Sequence, residues 1–495
     1  MRKVLVICID GATFDLLDPL LDKLPTIQKL KTVGCYGNLF SVYPPITPPA
    51  WASFITGKNP GKHGVFDFID VKNREKTDVV DASHIDSESL WSILSRNGVK
   101  VGVLNIPLTY PPEKVNGFLV PGLLSRTISS YPPSLMDELK EKVGYAMTPV
   151  VMGMSKDEAY DILEKDHAVK EKAALYLLRK DWDFFMVELT LTDYIGHRYF
   201  ASSPATLEKA FIRVDETIGK LVSSVPSDTD IIVMSDHGFG KCEKNVNLNN
   251  YFISKKFIKF KPWGRIKYFL FKRNLNPMKL YSLAKKAGLQ KIVNKMPGKR
   301  KKYWANKLLG YRDIDWKQTI CYTKGSFGPI YINKDCGDHE ENKKKIISAL
   351  RELEFNGEKL VDSIVTKEEM YHGKYARDGP DLFVVLKGMS YLPYSQFASN
   401  NQLVTESVYT NEWEGTHRMT GIFIANGPDF RKKKNISEYK LVDLTKTILN
   451  LFGLSGEGTD MDGTVMEDAL ISKIPQKEVN PEKSKLKDAI GDLDL

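Results

Sequence analysis

Cysteine is scarce in this chain of 495 residues, and it forms no recognisable metal-binding or redox motif. Five cysteines are scattered along the sequence without a Cys-x-x-Cys pair, at Cys8, Cys35, Cys242, Cys321 and Cys336. An odd, dispersed set of this kind excludes a zinc ribbon and a disulfide framework, and it is typical of a reducing compartment.

Long apolar runs are also missing. A membrane-spanning helix needs roughly 20 consecutive apolar residues, and no stretch of the sequence approaches that length. The apolar run Val4–Ile9 is shorter than the roughly 7–15 residues of a signal-peptide core, and a carboxylate, Asp10, follows it directly. We therefore predict a cytoplasmic protein, which leaves room for peripheral contact with a membrane.

Acidic residues are absent from one long stretch. Residues 251–310 hold 18 Lys and Arg and no Asp or Glu, so the chain's net charge of +9 leaves −9 for all other residues. Because aromatic and basic residues alternate there, we predict a basic, helical insertion over 251–315, forming a cap or surface apron. It would interrupt a catalytic core made of 1–250 and 316–471, with a tail at 472–495.

The basic stretch 251–310 favours an anionic partner over a specific nucleic acid. We expect it to attract an anionic substrate or to touch an anionic membrane peripherally. No nucleic-acid-binding module is recognisable. A merely solvated helical face is the alternative.

Strand and helix patterns alternate outside that stretch. Val4–Ile9, Phe184–Leu189 and 231–234 are short apolar runs typical of strands buried on both faces. Helical spacing marks 16–32 and much of 136–179. This alternation predicts an α/β fold around a mainly parallel sheet flanked by helices.

Three carboxylates occupy the same local setting. Asp10, Asp193 and Asp236 each follow a predicted strand closely, and binding sites in open α/β sheets lie beyond the carboxyl ends of strands. Carboxylates gathered at one sheet edge repel one another unless cations hold them together.

Three histidines accompany these carboxylates. His197 comes one helical turn after Asp193, His237 directly follows Asp236, and His417 precedes another predicted strand. Mixed nitrogen and oxygen donors suit two divalent ions such as zinc, manganese or iron. An isolated Asp at a strand end is more often a turn former or helix cap, so both interpretations stay open from these residues alone. The other histidines considered, His84, His167, His339 and His372, have no comparable setting and are interpreted as surface or structural residues.

Several segments resemble a known family. The stretch VYPPITPPAWASFITGKNPGKHGV resembles the nucleophile segment of the type I phosphodiesterase/nucleotide pyrophosphatase family of the alkaline phosphatase superfamily. The motifs ICIDG, TDYIGH, MSDHGFG and GTHR also occur in the order of that superfamily. LWSILSRNGVKVGVLNIPLTYPP is similar to its prokaryotic predicted phosphohydrolase/phosphomutase group.

The resemblance implies an alkaline-phosphatase-like fold and a metal-dependent phosphoryl hydrolase. Its substrate would be a phosphodiester or another nucleotide-type anion, and its nucleophile Thr47, through a covalent phosphothreonine intermediate. One metal would be held by Asp10, Thr47, Asp236 and His237, and the other by Asp193, His197 and His417. Both would be zinc, with manganese or iron as alternatives.

The sequence departs from the family at one position that touches phosphate. The diesterases commonly place an Asn shortly after the nucleophile, whereas Pro48-Pro49-Ala50 stand here. Lys241 is a candidate to contact the phosphate oxygens, with an exposed loop lysine as the alternative, and His63 is expected to support or pack the site. A phosphomutase, a phosphomonoesterase and a non-catalytic polyanion- or membrane-binding protein remain alternative functions.

Overall fold

The computed structural model describes residues 2–71, 78–151, 153–273, 309–395, 397, 402–406 and 413–476. The chain divides into two compact units. The first unit contains Met1–Val65, Val80–Phe239 and His417–Leu495, and the second contains Phe66–Val79 and Gly240–Thr416.

The strands of the described residues are short, as is usual for α/β proteins. They are β1 (Val4–Ile9), β2 (Cys35–Phe40), β3 (Val101–Ile106), β4 (Gly117–Pro121), β5 (Phe184–Leu189), β6 (Asp230–Met234), β7 (Gly238–Lys241), β8 (Lys244–Asn247), β9 (Cys321–Thr323), β10 (Ile330–Ile332), β11 (Glu354–Phe355), β12 (Glu358–Lys359), β13 (Val361–Thr366), β14 (Leu382–Leu386), β15 (Tyr391–Tyr394), β16 (Val404–Glu406), β17 (Gly415–Arg418), β18 (Thr420–Asn426), β19 (Lys434–Asn435) and β20 (Tyr439–Lys440).

The helices range from single turns to six turns. They are α1 (Phe14–Leu17), α2 (Pro25–Val33), α3 (Thr47–Thr56), α4 (Pro60–His63), α5 (Leu90–Arg96), α6 (Ser134–Val143), α7 (Lys156–Leu177), α8 (Leu191–Tyr199), α9 (Pro204–Ser223), α10 (Leu248–Ser254), α11 (Pro262–Lys272), α12 (His339–Arg351), α13 (Lys367–Met370) and α14 (Leu441–Leu451).

A nine-stranded sheet organises the first unit. Its strand order is β19-β2-β18-β6-β1-β5-β3-β4, with β20 also paired to β2. β6, β1, β5, β3 and β4 run parallel, whereas β18 is antiparallel to both β6 and β2. The prediction of a mainly parallel α/β sheet flanked by helices is confirmed.

The side chains of β1 alternate between two hydrophobic layers. Leu5, Ile7 and Ile9 pack into one layer with helices that include α2, α7 and α9. Val4 and Val6 pack into the other layer with α3, α5 and α14. Because both faces are covered, the strand is apolar at every position, which is why its sequence lacks the polar alternation of a half-exposed strand.

The two long helical patterns are each divided in the structure. Residues 16–32 contain α1, a 3-10 turn at Asp18–Lys23 and then α2, which begins at Pro25. In the stretch 136–179, α6 ends at Val143, and Gly144 after it has a left-handed conformation before α7 begins. Proline at a helix start and glycine at a helix end are usual boundaries.

An antiparallel sheet of four strands, in the order β13-β14-β10-β9, lies in the second unit. The predicted insertion 251–315 falls within this unit, which takes in more of the chain than the insertion does, and residues 274–308 lie outside the described residues. Of the predicted tail, 477–495 also lie outside them. The boundaries proposed from sequence therefore stay a prediction.

Within the part of the chain that the structure describes, no helix is both long enough and apolar enough to cross a bilayer.

A buried polar network joins α7 and α9. His167 is buried, with Nε2 2.9 Å from the hydroxyl of Thr217, which donates to Glu171. Arg213 and Lys220 also bind Glu171. Burial lowers the pKa of His167 to about 4, and the positive charge of Arg213 adds to this effect. His167 is therefore a structural residue that stays neutral in the folded protein, as its sequence setting suggested.

We expect His167 to lower the free energy of unfolding as the pH falls from 6.5 to about 4. In this window the unfolded chain binds a proton at His167 and the folded chain does not, so acid favours unfolding. The loss in the free energy of unfolding reaches about 3 kcal/mol below pH 4. Urea unfolding of the wild type and of His167→Gln across these pH values measures it. Equal pH slopes in the two proteins would contradict the prediction.

Candidate metal centre

Three parallel strands bring their carboxyl ends together at one edge of the large sheet. β1 lies between β5 and β6 in register along its length. Asp10 directly follows β1, and Asp236 comes two residues after β6. β5 ends at Leu189 and leads into α8, which carries Asp193. The strand-end placement predicted from sequence therefore gathers the three carboxylates at one edge.

One cluster consists of Asp193, His197 and His417. Asp193 and His197 are one turn apart on α8, so both side chains face the same side of the helix. Oδ1 of Asp193 lies 3.4 Å from Nε2 of each histidine. The two Nε2 atoms are 3.1 Å apart.

The second cluster consists of Asp10, Asp236 and His237. Nε2 of His237 lies 3.4 Å from Oδ1 of Asp10 and 3.5 Å from Oδ2 of Asp236. All three residues are buried. The rings of His237 and His417 stack with centroids 3.6 Å apart, so the two clusters adjoin. All six predicted Asp and His ligands are thus brought together, although their role as ligands stays a prediction.

Backbone carbonyls orient two of the imidazoles. Nδ1 of His237 lies 3.1 Å from the carbonyl oxygen of Gly238, and Nδ1 of His417 lies 2.8 Å from that of Pro45. Each Nδ1–H can donate to its carbonyl, which leaves Nε2 unprotonated and facing its cluster. This is the usual arrangement of metal-binding histidines.

The donor atoms of both clusters fit divalent cations. Among the described residues, Oδ1 of Asp10, Oδ1 of Asp193, both carboxylate oxygens of Asp236 and Nε2 of His237 are buried without a hydrogen-bond partner. Leaving such atoms unsatisfied is costly. Donors spaced 3.1–3.5 Å apart match a tetrahedral site, in which bonds of about 2.0 Å separate the ligands by about 3.3 Å. The residues therefore fit one divalent ion in each cluster.

The charges of the clusters are unbalanced without cations. Burial raises the pKa of Asp10 well above its ordinary value, and the carboxylates of Asp193 and Asp236 raise it further. Burial likewise raises the pKa of Asp236 to about 7 and lowers that of His237 well below its ordinary value. Burial also raises the pKa of Asp193, but the nearby His197 and His417 outweigh burial and hold this pKa below its ordinary value. Bound cations would favour the deprotonated form of every one of these groups.

Thr47 is the first residue of α3. β2 runs in the same direction as the parallel strands, so the loop after Phe40 leaves from the sheet edge that carries the clusters. This loop contains Pro45, the acceptor of the His417 hydrogen bond. Pro48 and Pro49 follow Thr47, as the first helical turn allows. Thr47 is 5% exposed.

His63 holds α3 to the segment that follows it. It is buried, with Nε2 2.9 Å from the hydroxyl of Ser53 on α3 and Nδ1 accepting from the backbone N–H of Val65 at 3.2 Å. Burial lowers the pKa of His63 to about 3. The neutral ring therefore packs and positions α3, one of the roles expected from sequence.

A second set of polar contacts, centred on Asp462, holds the loop that follows α3. Asp462 accepts hydrogen bonds from the backbone N–H and the side-chain amide of Asn59, at 2.7 and 2.8 Å. It also pairs with Lys62, and its own N–H donates to the carbonyl of Gly57 at 2.8 Å. One carboxylate thus ties the chain after α3 to the C-terminal part of the first unit.

We expect Asp462→Ala to lower the free energy of unfolding by about 2–4 kcal/mol, because several half-buried donors lose their acceptor. Asp460→Ala is the matched control. The carboxylate of Asp460 is exposed where it pairs with Lys58, and ion pairs with a solvated partner contribute about 0–1 kcal/mol. Chemical denaturation compares the two variants, and equal losses would contradict the special position of Asp462.

Lys241 belongs to the second unit, whereas both clusters lie in the first. Its side chain is 56% exposed, with Nζ 3.7 Å from Oε1 of Glu243. Contact between Lys241 and a substrate phosphate stays a prediction.

Two polar residues near the clusters were missed by sequence analysis. Glu188, the single carboxylate of β5, is fully buried, and neither of its oxygens has a hydrogen-bond partner among the described residues. Burial raises its pKa well above the ordinary value, and Asp236 and Asp193 add to the effect. Asn105 itself has a left-handed backbone conformation, with φ 64°, and its side-chain amide donates to the carbonyl oxygen of Glu188 at 3.1 Å. A lone Glu within the apolar run FFMVEL was the signal available in the sequence.

A mainly parallel sheet with two adjoining Asp/His clusters at its carboxyl edge defines an α/β protein with a candidate two-cation centre. Residues 4–346 match the family described as type I phosphodiesterase/nucleotide pyrophosphatase. The chain belongs to this family, as its motifs predicted.

Curated relatives match about half of the chain. Human ectonucleotide pyrophosphatase/phosphodiesterase family member 1 is 26% identical over 273 residues, which are 52% of this chain and 26% of that protein. Bovine family member 3 is 25% identical over 278 residues, 54% of this chain and 28% of that protein. The venom phosphodiesterase CdcPDE of Crotalus durissus collilineatus is 24% identical over 277 residues, 53% of this chain and 30% of that protein. The matches thus cover only about a quarter to three-tenths of these relatives.

Proposed function

We propose that this chain is a metal-dependent phosphoryl hydrolase that cleaves phosphodiesters or nucleotide-type pyrophosphates with Thr47 as nucleophile. The convergence of two three-residue clusters beside the loop that carries Thr47 is the main support. Membership in a family described as phosphodiesterase and nucleotide pyrophosphatase also supports it.

The residues divide into two ligand sets. Asp10, Asp236 and His237, together with Thr47, would hold one divalent ion. The other would be held by Asp193, His197 and His417. Their mixed nitrogen and oxygen donors favour zinc, with manganese or iron as alternatives. When bound, the two ions would lower the pKa of the threonine hydroxyl and offset negative charge on the leaving oxygen.

Thr47 would carry the phosphoryl group between two displacements. Its deprotonated hydroxyl oxygen forms a bond to phosphorus while the bond from phosphorus to the leaving oxygen breaks, and that oxygen takes up a proton. Water then attacks the phosphothreonine, the bond between Thr47 and phosphorus breaks, and the hydroxyl is regenerated. Because Thr47 is the first residue of α3, the positive end of the helix dipole would favour the anionic phosphoryl group there. Because Pro48 and Pro49 have no backbone N–H, other residues must donate the hydrogen bonds to the phosphate oxygens.

The same proposal covers the substrate and the cellular location of the protein. The substrate would be an anionic phosphodiester or nucleotide, with Lys241 as a candidate phosphate contact. A cytoplasmic location and peripheral contact with an anionic membrane through 251–310 remain part of it.

The test is a substrate panel with the purified full chain. Bis(p-nitrophenyl) phosphate, p-nitrophenyl phosphate and the p-nitrophenyl ester of thymidine 5′-monophosphate would be assayed after chelation and after addition of zinc, manganese or iron. Diester cleavage that is lost on chelation and restored by one of these ions supports the proposal. Preference for the monoester would favour a phosphomonoesterase. No turnover of any ester under any metal would contradict a hydrolase and favour the non-catalytic alternative.

Water labelled with oxygen-18 separates hydrolysis from phosphoryl exchange. A hydrolase acting through Thr47 places one labelled oxygen in the released phosphate or phosphomonoester. A phosphomutase returns the phosphoryl group to an organic hydroxyl without the label.

A further inference from the structure

One helix of the second unit exposes three large apolar side chains. Trp263, Ile266 and Phe269 on α11 are 69%, 52% and 52% exposed. Spaced three residues apart, they lie along one side of the helix. Trp263 and Phe269 are the only large aromatic residues this exposed in the described parts of the chain. A cluster of exposed apolar side chains usually marks an interaction surface.

The opposite side of α11 is anchored, so the exposed side does not result from a loose helix. A side chain at Gly264 would meet the carbonyl oxygen of Asp313 at 2.7 Å, which shows how closely the helix approaches that segment. Lys267 pairs with the carboxylate of Asp313 at 2.7 Å. The ring of Tyr268 packs on that of Phe260 with centroids 5.5 Å apart.

Within residues 251–310, every charged side chain near the exposed side of α11 is positive. Arg265, Lys272 and Arg273 are exposed, and the guanidinium of Arg273 lies 3.9 Å above the ring of Phe269. Residues 251–310 contain no acidic side chain. The surface therefore complements a partner with an apolar interior and a negatively charged outer layer.

The size of the surface distinguishes between partners. A specific protein interface buries at least about 1,000 Å², more than three side chains on an 11-residue helix provide. A lipid surface needs only a few inserted aromatic and aliphatic side chains when basic residues bind the headgroups. Tryptophan is also suited to the boundary between headgroups and acyl chains.

We infer that α11 docks on an anionic phospholipid surface, with Trp263, Ile266 and Phe269 inserted and Arg265 and Lys272 against lipid phosphates. This rests on the peripheral contact proposed for 251–310 and deepens it by naming the helix and the side chains that enter the lipid. It concerns the second unit and not the ligand clusters, so a failed vesicle assay leaves the proposed hydrolysis standing.

The experiment uses the full chain with vesicles of phosphatidylcholine containing 30% phosphatidylserine, and with vesicles of phosphatidylcholine alone. Co-sedimentation should occur with the anionic vesicles at low salt and weaken at high salt. Replacing Trp263, Ile266 and Phe269 together with alanine should reduce the bound fraction at least about tenfold. The matched control replaces Met147 and Val150, exposed apolar residues of the first unit, and should bind as the wild type does.

Each alternative gives a distinct result. Equal binding to both vesicle types overturns the anionic requirement, and wild-type binding by the triple variant overturns the role of α11. No binding by the wild type overturns the inference as a whole. If light scattering shows dimers that the triple variant cannot form, the face joins two copies instead. Diester turnover and thermal melting of the triple variant should stay unchanged, which excludes misfolding as the cause.

Discussion

Replacing Thr47 with alanine will abolish diester turnover while leaving the protein folded. Loss of a covalent nucleophile lowers the rate by at least about 10³-fold, whereas removal of one small polar group at the start of α3 leaves the six Asp and His side chains in place. Initial rates on bis(p-nitrophenyl) phosphate and metal content by mass spectrometry measure the two effects. Metal content should fall little, because three candidate ligands remain in each cluster.

Two matched variants make this prediction specific. Thr47→Ser keeps the hydroxyl and should retain measurable activity. Thr32→Ala removes an exposed threonine of α2 in the same unit and should behave as the wild type. Wild-type rates in Thr47→Ala would show that another group is the nucleophile.

Replacing Asp193 with asparagine will remove one metal ion per chain and lower activity at least about 100-fold. Asp193 is the only carboxylate of its cluster, and its Oδ1 faces both His197 and His417. Without that charge, two neutral imidazoles hold a divalent ion poorly. Because ligand binding stabilises the folded state, added zinc should raise the melting temperature of the variant less than that of the wild type.

The control for charge is Asp137→Asn. Asp137 is an exposed carboxylate of α6 in the same unit, so its loss should change neither metal content nor rate. A count of two ions per chain in Asp193→Asn would exclude Asp193 as a ligand.

Part of the site could be predicted from local sequence because the relevant carboxylates lie within a few residues of the ends of buried strands. Asp10 comes after β1, which is apolar at every position, and Asp236 comes after the apolar residues 231–234 of β6. These runs predict the ends of interior strands. Asp193 and His197 share one helical turn, so their proximity is also a local property. The resemblance, and not the pattern, singled out Thr47.

His417 shows why local pattern is insufficient. It precedes a strand, β18, whereas the other candidates follow strands. β18 enters the sheet antiparallel to β6, so its amino end lies where the parallel strands have their carboxyl ends. The direction of a strand depends on which neighbours it pairs with, and residues 235–419 separate β18 from β6 in the chain.

The sequence by itself determined the α/β class, the strand-end carboxylates and the basic character of 251–310, since periodicity, neighbouring residues and charge are local properties. The resemblance grouped His417 with Asp193, but the strand direction that brings them together is a tertiary property. Only the tertiary structure decided that Asp462 holds the loop after α3, that Glu188 is buried beside the clusters and that three apolar side chains of α11 are exposed together. These features depend on strand direction, on packing between distant segments and on which side of a helix is covered, and chain folding alone establishes them.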